Sequence, residues 1–473
     1  MKWAGPAIVA LGLSGFVAVA VAAVAYPYDL GHREGLLFLP AMRLVAGLPI
    51  YGEGAALTPP FVVSHYGPVY YFVLGWIVSV TGPAFWPGRL LSIVSCASIG
   101  AGLFHLARRR GATREAAALV AVLFLTLPGV WVFGTMLRVD LPGLALLFFG
   151  LLLAILGPPT LPRLLAGGAV TGLAVFVKPT LICAPLAVCL ALALARKTKQ
   201  VAAFVVGVSG VAALAWSAVA LSGAGDLAFS LRVDAAGDYS VAGPISIAST
   251  AARSPAFLVC LVLWWFEAAR LRRRATDPLL ARFLQLYPAL SLCAGLVMSM
   301  RGGSNINYLF EAFLGFALCA AFAFASDGTL VSSPATSRWR SVILAAVFLD
   351  LLVGHAGYVR GRFVFPWRQG PGCQAVIDRL KQLPQQAGPV LSAYPELALR
   401  AGHTPHFQTS HAYLVGSEPM RRAYRAFLDE RRAAALILSA PSPPDGYVAV
   451  AGADAGPFLF FRKDLGPVIG VTR

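Results

Sequence analysis

Ala25-Tyr26-Pro27-Tyr28-Asp29-Leu30-Gly31-His32-Arg33-Glu34-Gly35 follows an uninterrupted apolar run from Ala4 to Ala25. That run, about 22 residues, is long enough to cross roughly 30 Å of hydrocarbon as a helix. It exceeds the roughly 7–15 residues of a cleaved signal core, so it reads as a retained signal-anchor. Asp29 therefore stands where the first helix leaves the bilayer. A second acid follows a later apolar run, in Met136-Leu137-Arg138-Val139-Asp140.

Working outward, the chain is 58% hydrophobic and 12% charged, with a mean hydropathy of +0.73. Repeated apolar stretches of spanning length make the fold class an all-α polytopic membrane bundle, because helices satisfy their own backbone groups in lipid. The net charge of +17 does not point to nucleic acid. Most cations sit in short loops between apolar segments, as the positive-inside rule predicts. Six of the seven cysteines fall in apolar segments and Cys373 is alone in the tail, so no disulfide framework is implied.

The basic clusters are Lys2, Arg108 to Arg110 with Arg114, Arg163, Arg196 to Lys199, Arg270 to Arg274, and Arg338 with Arg340. Placing all of them in the cytoplasm requires an even number of crossings between clusters. Of the three apolar stretches before Arg108, Tyr66–Thr81 is the weakest. It is short, contains Gly67, Pro68 and Gly75, and carries Tyr70, Tyr71 and Trp76, so it reads as interfacial or re-entrant. Gly35–Leu48 reads as a second interfacial helix, which makes residues 27–88 a long, membrane-hugging first outer loop. Later spans are expected near 115–135, 141–157, 163–178, 180–195, 200–222, 253–269, 281–299, 307–325 and 340–357. That gives about eleven spans, with the N-terminus inside and the C-terminus outside. Asp29, Asp140, Lys178, the 223–252 loop and the Arg301–Asn307 loop all emerge on the outer face.

The transmembrane module is expected over 1–359 and a small α/β periplasmic domain over 360–473, where polar residues and prolines replace the apolar runs. Gln374–Leu383 has helical spacing. Residues 389–393, 434–439, 446–450 and 458–462 read as short strands, and Ser417 as the cap of a helix to about Arg432. His403-x-x-His406 with His411 lacks a Cys or acid at ligand spacing, so zinc is not expected. No P-loop motif appears.

In this order, the landmarks resemble the integral-membrane glycosyltransferases of the GT-C superfamily, which includes protein O-mannosyltransferases, lipid A aminoarabinose transferases and oligosaccharyltransferase catalytic subunits. The resembling residues are Asp29 with Glu34, then Ser64-His65-Tyr66-Gly67-Pro68-Val69-Tyr70-Tyr71 and Trp86-Pro87-Gly88-Arg89-Leu90-Leu91-Ser92. Arg138-Val139-Asp140, Gly172 to Lys178-Pro179, and Gly302-Gly303-Ser304-Asn305-Ile306-Asn307-Tyr308 with Glu311 complete the set. The likeness covers about residues 1–325 and departs where Leu91 replaces a family proline.

The resemblance implies an inverting hexosyl or pentosyl transferase in the bacterial inner membrane. It would use a polyprenyl-phosphate sugar donor and a lipid, glycan or protein acceptor on the periplasmic side. A hydroxyl nucleophile needs a base in hydrogen-bond reach; Asp29 is the candidate, with Asp140 and Glu34 as further catalytic acids. A leaving phosphate needs cations, which act far more strongly in a water-poor site than in bulk. Lys178, Arg138, Arg301 and Arg89 are the candidates. Asn307, Glu311, His65 and Tyr66 are placed as donor-binding residues. Asp29 and Asp140 could supply oxygen ligands to a divalent metal.

Each residue also has a plainer reading. Asp29 would be a solvated loop acid, Asp140 a partner of Arg138 at a helix N-terminus, Glu34 a partner of Arg33, and the cations interface anchors. A transporter or lipid flippase is the alternative function, but no internal repeat is visible and the polar groups gather at one face. A membrane scaffold would leave the intramembrane charges without a purpose.

Overall fold

The computed structural model describes residues 4–30, 34–58, 61–62, 64–235, 239–274, 277–325, 336–355 and 365–406. Beyond 406 it describes residues 418, 422, 426–427, 430, 433–438, 445, 447–452 and 458–465. The proposed Ser417 cap, and most of the helix expected after it, lie outside the described residues.

Helices dominate the first three quarters of the chain. They are α1 (Ala4–Ala25), α2 (Glu34–Val45), α3 (Glu53–Leu57), α4 (Pro68–Thr81), α5 (Trp86–Arg109) and α6 (Arg114–Thr126). Next come α7 (Val130–Gly134), α8 (Asp140–Ala154), α9 (Leu161–Val177), α10 (Cys183–Leu194), α11 (Thr198–Leu221) and α12 (Leu227–Ala235). The bundle ends with α13 (Ala242–Ala252), α14 (Pro255–Arg274), α15 (Pro278–Met298), α16 (Phe310–Ala323) and α17 (Thr336–Leu349).

Five of the described helices are long and apolar enough to cross a membrane, and α13 with α14 makes a sixth candidate bent by 90°. Five more apolar helices are shorter, α4, α8, α9 and α10 among them. The segment expected to span 115–135 is broken. Its helix stops at Thr126, and Pro128-Gly129 turns the chain with Gly129 at a φ of 79° before the short α7 begins. The 223–252 segment, expected as a loop, carries α12 and α13. The Tyr66–Thr81 stretch becomes α4, whose 14 residues rise about 21 Å, short of the hydrocarbon thickness.

Small residues let the central helices approach closely. A Cβ on Gly168 of α9 would fall 2.2 Å from the Phe204 carbonyl oxygen of α11, so only glycine fits there. The Ile306–Ala323 stretch is the buried axis of the bundle, 94% inside the protein. Large apolar side chains remain exposed on the outside, among them Val21, Trp76, Val80, Leu214 and Trp265; this is the surface expected of lipid-facing helices.

The helix ends sort the charges. Arg109, Arg110 and Arg163, with His105, line a cavity of about 890 Å³ at one end of the bundle. The N-termini of α5, α8, α10 and α16 and the C-termini of α9 and α15 form the opposite end, and the candidate residues gather there.

The tail forms a five-stranded sheet of β1 (Val390–Ser392), β2 (Pro405–His406), β3 (Ala435–Leu438), β4 (Tyr447–Gly452) and β5 (Phe458–Arg462), in the order β2-β1-β3-β5-β4. The first three strands run parallel, and β5 pairs antiparallel with β3 and β4. Val376, Ile377, Leu380 and Leu383 are buried, as their helical spacing predicts. The helices Phe365–Leu380 and Pro395–Arg400 dock this domain onto the Asp29 end of the bundle. Arg400 Nη2 donates to the Pro27 carbonyl at 2.7 Å, and Tyr28 Oη donates to Gln374 Oε1 at 3.0 Å.

Candidate active site

Lys178 is placed by its own sequence. A residue before proline is pushed out of the helical region, so α9 ends at Val177 and Lys178 turns extended, with φ −138° and ψ 106°. The turn aims its side chain at Asp140, the first residue of α8, where the helix dipole favours an acid. Lys178 Nζ donates to Asp140 Oδ1 at 2.6 Å, and both side chains are buried. Asn307 Nδ2 donates to the same oxygen at 2.6 Å. Arg138 Nε donates to Asp140 Oδ2 at 3.1 Å. Lys178 also reaches the Asn307 carbonyl at 3.3 Å and lies 5.5 Å from the Tyr308 ring centre.

Tyr66 completes the cluster, its hydroxyl accepting from Arg138 Nη2 at 3.4 Å. The loop that carries it lies hard against the end of α9. A Cβ on Gly67 would sit 1.9 Å from the Phe176 carbonyl oxygen, so this close approach requires glycine. Ser64, two residues before Tyr66, is buried too, and His65 beside it is half-buried. Two cations thus surround one carboxylate, and all three side chains are buried.

Glu34, expected as a catalytic acid, and Glu311, expected as a donor-binding residue, are both hydrogen-bonded into the scaffold. Glu34 is fully buried; it accepts from the Leu30 N–H at 2.8 Å and the Leu137 N–H at 2.7 Å, and pairs with Arg89 at 2.6 Å. Its described partner is Arg89 of α5; the adjacent Arg33 lies outside the described residues. Arg89 gives the rest of its guanidinium to the carbonyls of Ala23, Tyr26 and Tyr28. All five N–H donors are engaged within the protein, so Arg89 has none left for a leaving phosphate. Glu311 accepts from the backbone N–H groups of Cys183 and Ala184, the first residues of α10. It caps the N-terminus of α10.

The 301–309 loop is a tight turn, with Gly303 at a φ of 79°, the Ser304 hydroxyl on the Arg301 carbonyl and the Asn305 side chain capping Ile306. Arg301 pairs through its backbone with Tyr239. Asp29 is half-buried and accepts from the Gly35 N–H at 3.1 Å. The donor set does not suit a divalent ion at Asp140, whose oxygens already face two cations and an amide. Among the described residues no cluster of three His, Cys, Asp or Glu could hold a metal. His403 is buried on the Leu380 carbonyl at 2.9 Å, and His411 lies outside the described residues.

The sequence reading passed over Glu396. It is buried in the soluble domain, 4% exposed, and faces Asp29. Burial, and then the negative charge of Asp29, push its carboxyl well above the usual carboxylate range. In sequence it is an ordinary acid in the first turn of a short helix, and no local signal marks it.

Comparison with known proteins bears on the fold. Residues 65–221 match a family model described as dolichyl-phosphate-mannose-protein mannosyltransferase. The chain is similar in structure to ArnT from Cupriavidus metallidurans bound to undecaprenyl phosphate, with a TM-score of 0.65 and 13% identity over 96% of this chain and 97% of that one. The likeness to the apo state of the same protein has a TM-score of 0.64 and 14% identity, with the same coverage. No curated protein sequence matches the chain.

Proposed function

We propose that this chain, whose fold is that of the GT-C membrane glycosyltransferases, transfers a sugar from a polyprenyl-phosphate carrier to an acceptor hydroxyl. The observation that carries the reading is the buried Lys178–Asp140–Arg138–Asn307 cluster, a dry site of net positive charge at one end of an apolar bundle. The acceptor oxygen attacks C1 of the sugar, and its proton passes to Asp29. The bond from C1 to the phosphate oxygen breaks, and the carrier leaves with the electron pair. Lys178 and Arg138 stabilise that charge, and Asp140 with Asn307 holds them in place. A single displacement of this kind inverts C1. The enzyme would sit in the bacterial inner membrane with its N-terminus inside, and the soluble unit from about residue 360 outside. The undecaprenyl phosphate bound by the similar ArnT supports the carrier class.

The test is transfer of radiolabelled sugar from a panel of polyprenyl-phosphate donors, with membrane lipid and cell extract as acceptors. Wild type is expected to transfer from at least one donor. Asp29→Asn is expected to fall by about 10²–10⁴-fold, the usual contribution of a positioned base. Equal transfer by both proteins would remove Asp29 from the mechanism.

A further inference from the structure

We propose that the cavity of about 890 Å³ at the end of the bundle away from Asp140 binds an anionic phospholipid of the surrounding bilayer. Arg109, Arg110 and Arg163 hold its phosphate, and an acyl chain lies along α5 and α8.

The cations set the headgroup end. Arg109 closes α5, where the helix dipole favours a positive charge. Arg163 sits in the first turn of α9, where the dipole opposes one. It is held there because Nε and Nη2 donate to the Leu153 and Leu152 carbonyls of α8, at 3.1 and 2.9 Å. Arg110 lies 4.8 Å from the Phe322 ring centre. The one acid among the described lining residues is Asp277, which accepts from the Leu279 and Leu280 N–H groups at 3.1 Å each and so caps α15. Among the described residues neither Arg109 nor Arg163 meets a carboxylate. Three guanidiniums therefore share a cavity with one carboxylate that is already engaged, and the charge complementary to them is an anion's.

The depth of the cavity selects a lipid over a free anion. Along α5 its lining runs from Arg109 back to Gly102, about 10 Å of helix rise. The whole of α5, 24 residues, rises about 36 Å, a little more than the roughly 30 Å of hydrocarbon. With Trp86 at one interface, Arg109 reaches the headgroups of the other, and Gly102 lies within the hydrocarbon. A Cβ on Gly102 would fall 2.2 Å from a ring carbon of Phe148, so α8 packs directly on α5 at that depth. Beside this contact Phe149, 39% exposed, and the partly exposed Leu152 and Leu153 form an apolar wall below the cations. The positive-inside rule accounts for arginines at this end, but not for a cavity that joins them to an apolar wall. An amphiphile uses both ends of it, and basic pockets between membrane helices are where phospholipid headgroups bind. The volume is within the usual range for a ligand site.

The test uses the full-length protein in a neutral detergent. Phosphatidylglycerol and phosphatidylcholine are titrated separately, and bound lipid is counted by native mass spectrometry. Phosphatidylglycerol is expected to bind at least tenfold more tightly than phosphatidylcholine. A cation at a membrane surface is worth about fivefold in binding, so Arg109→Glu, which changes two charges at an exposed position, should weaken phosphatidylglycerol by about 30-fold. Arg109→Gln changes one charge, is expected to cost about fivefold, and gives the same answer should the reversal not fold. Arg109→Lys should stay within threefold of wild type. So should Arg114→Glu, which is exposed in the first turn of α6 at the same end but outside the cavity lining.

Equal affinity for the two lipids, or phosphatidylglycerol binding unchanged in Arg109→Glu and Arg109→Gln, would overturn the proposal. A loss in Arg114→Glu as large as in Arg109→Glu would also overturn it, since surface charge alone would then attract the lipid. Inorganic phosphate at millimolar concentration separates the two sources of the anion and is expected to leave Tm unchanged. Stabilisation by phosphate that Arg109→Glu abolishes would make the cavity a free-anion site and refute the lipid.

Discussion

Replacing Lys178 by methionine keeps most of the side chain's length and deletes its charge. In the structure this leaves Asp140 Oδ1 with the Asn307 amide at 2.6 Å and Oδ2 with Arg138 Nε at 3.1 Å. Removing one partner of a buried ion pair costs about 3–5 kcal/mol. Because two donors remain, the loss should lie near the lower end, about 3 kcal/mol, read as a fall of several degrees in Tm in detergent. The effect on chemistry is separate. Losing one preorganised group that stabilises developing negative charge slows the chemical step by about 10²–10³-fold, or about 2.7–4 kcal/mol. The assay is sugar transfer per folded molecule, after size-exclusion selection, with whichever donor the wild type accepts. A group acting on the leaving phosphate should lower kcat more than it raises KM. A purely structural lysine would reduce the folded fraction and leave kcat per folded molecule alone. Transfer within threefold of wild type in the selected material would refute the phosphate role and leave Lys178 as a strut for Asp140.

Three further outcomes follow from the same geometry. Gly67→Ala should lower both Tm and transfer, because its Cβ would fall 1.9 Å from a backbone oxygen of α9 and must push the Tyr66 loop away; an unchanged Tm would mean the loop is not held there. Arg89→Lys should accumulate poorly or unfold at lower temperature by about 3–5 kcal/mol, since an ammonium cannot replace five donors in a fixed fork; normal thermal stability of the purified variant would contradict the scaffold role. Glu396 makes stability fall with rising pH, because its raised carboxyl holds a proton more tightly in the folded chain than in the unfolded one. Its contribution is complete below the ordinary carboxyl value of about 4.3 and is lost as pH climbs through the raised one. Tm measured between about pH 5 and 9 should therefore decline less in Glu396→Gln than in wild type, and parallel curves would count against the buried acid.

Much of this arrangement can be read from the chain. Long apolar runs announce the bundle, and the charge rule brings Asp140, Lys178 and Asn307 to one end. Pro179 alone predicts that α9 stops at Lys178. What periodicity does not reveal is which cation meets which acid. Glu34 and Arg89 are separated by 55 residues, and Glu311 caps a helix that starts 128 residues earlier. Such pairings depend on how helices pack, not on local pattern. Glu34 stands beside Arg33 in sequence, and its carboxylate reaches Arg89 of α5 and the N–H groups of two loops. Glu396 was hidden for the same reason, since its neighbours come from the opposite end of the chain.

The scaffold pair has a geometric consequence for the chemistry. Glu34 accepts from the N–H of Leu30, next to Asp29, and from the N–H of Leu137, next to Arg138. One buried carboxylate therefore fixes the loop of Asp29, the proposed base, relative to the loop of Arg138, proposed to bind the phosphate, while Arg89 clamps the Tyr26 and Tyr28 carbonyls. An inverting displacement needs base and leaving group on opposite faces of the sugar, and it tolerates little drift between them. The pair that sets this separation is neutral overall, so it adds little field of its own at the sugar. In the proposed reaction the positive potential is left to Lys178 and Arg138, each of which lies against Asp140. Separating the charge that positions from the charge that stabilises is what lets Arg89 be fully spent while Lys178 stays available.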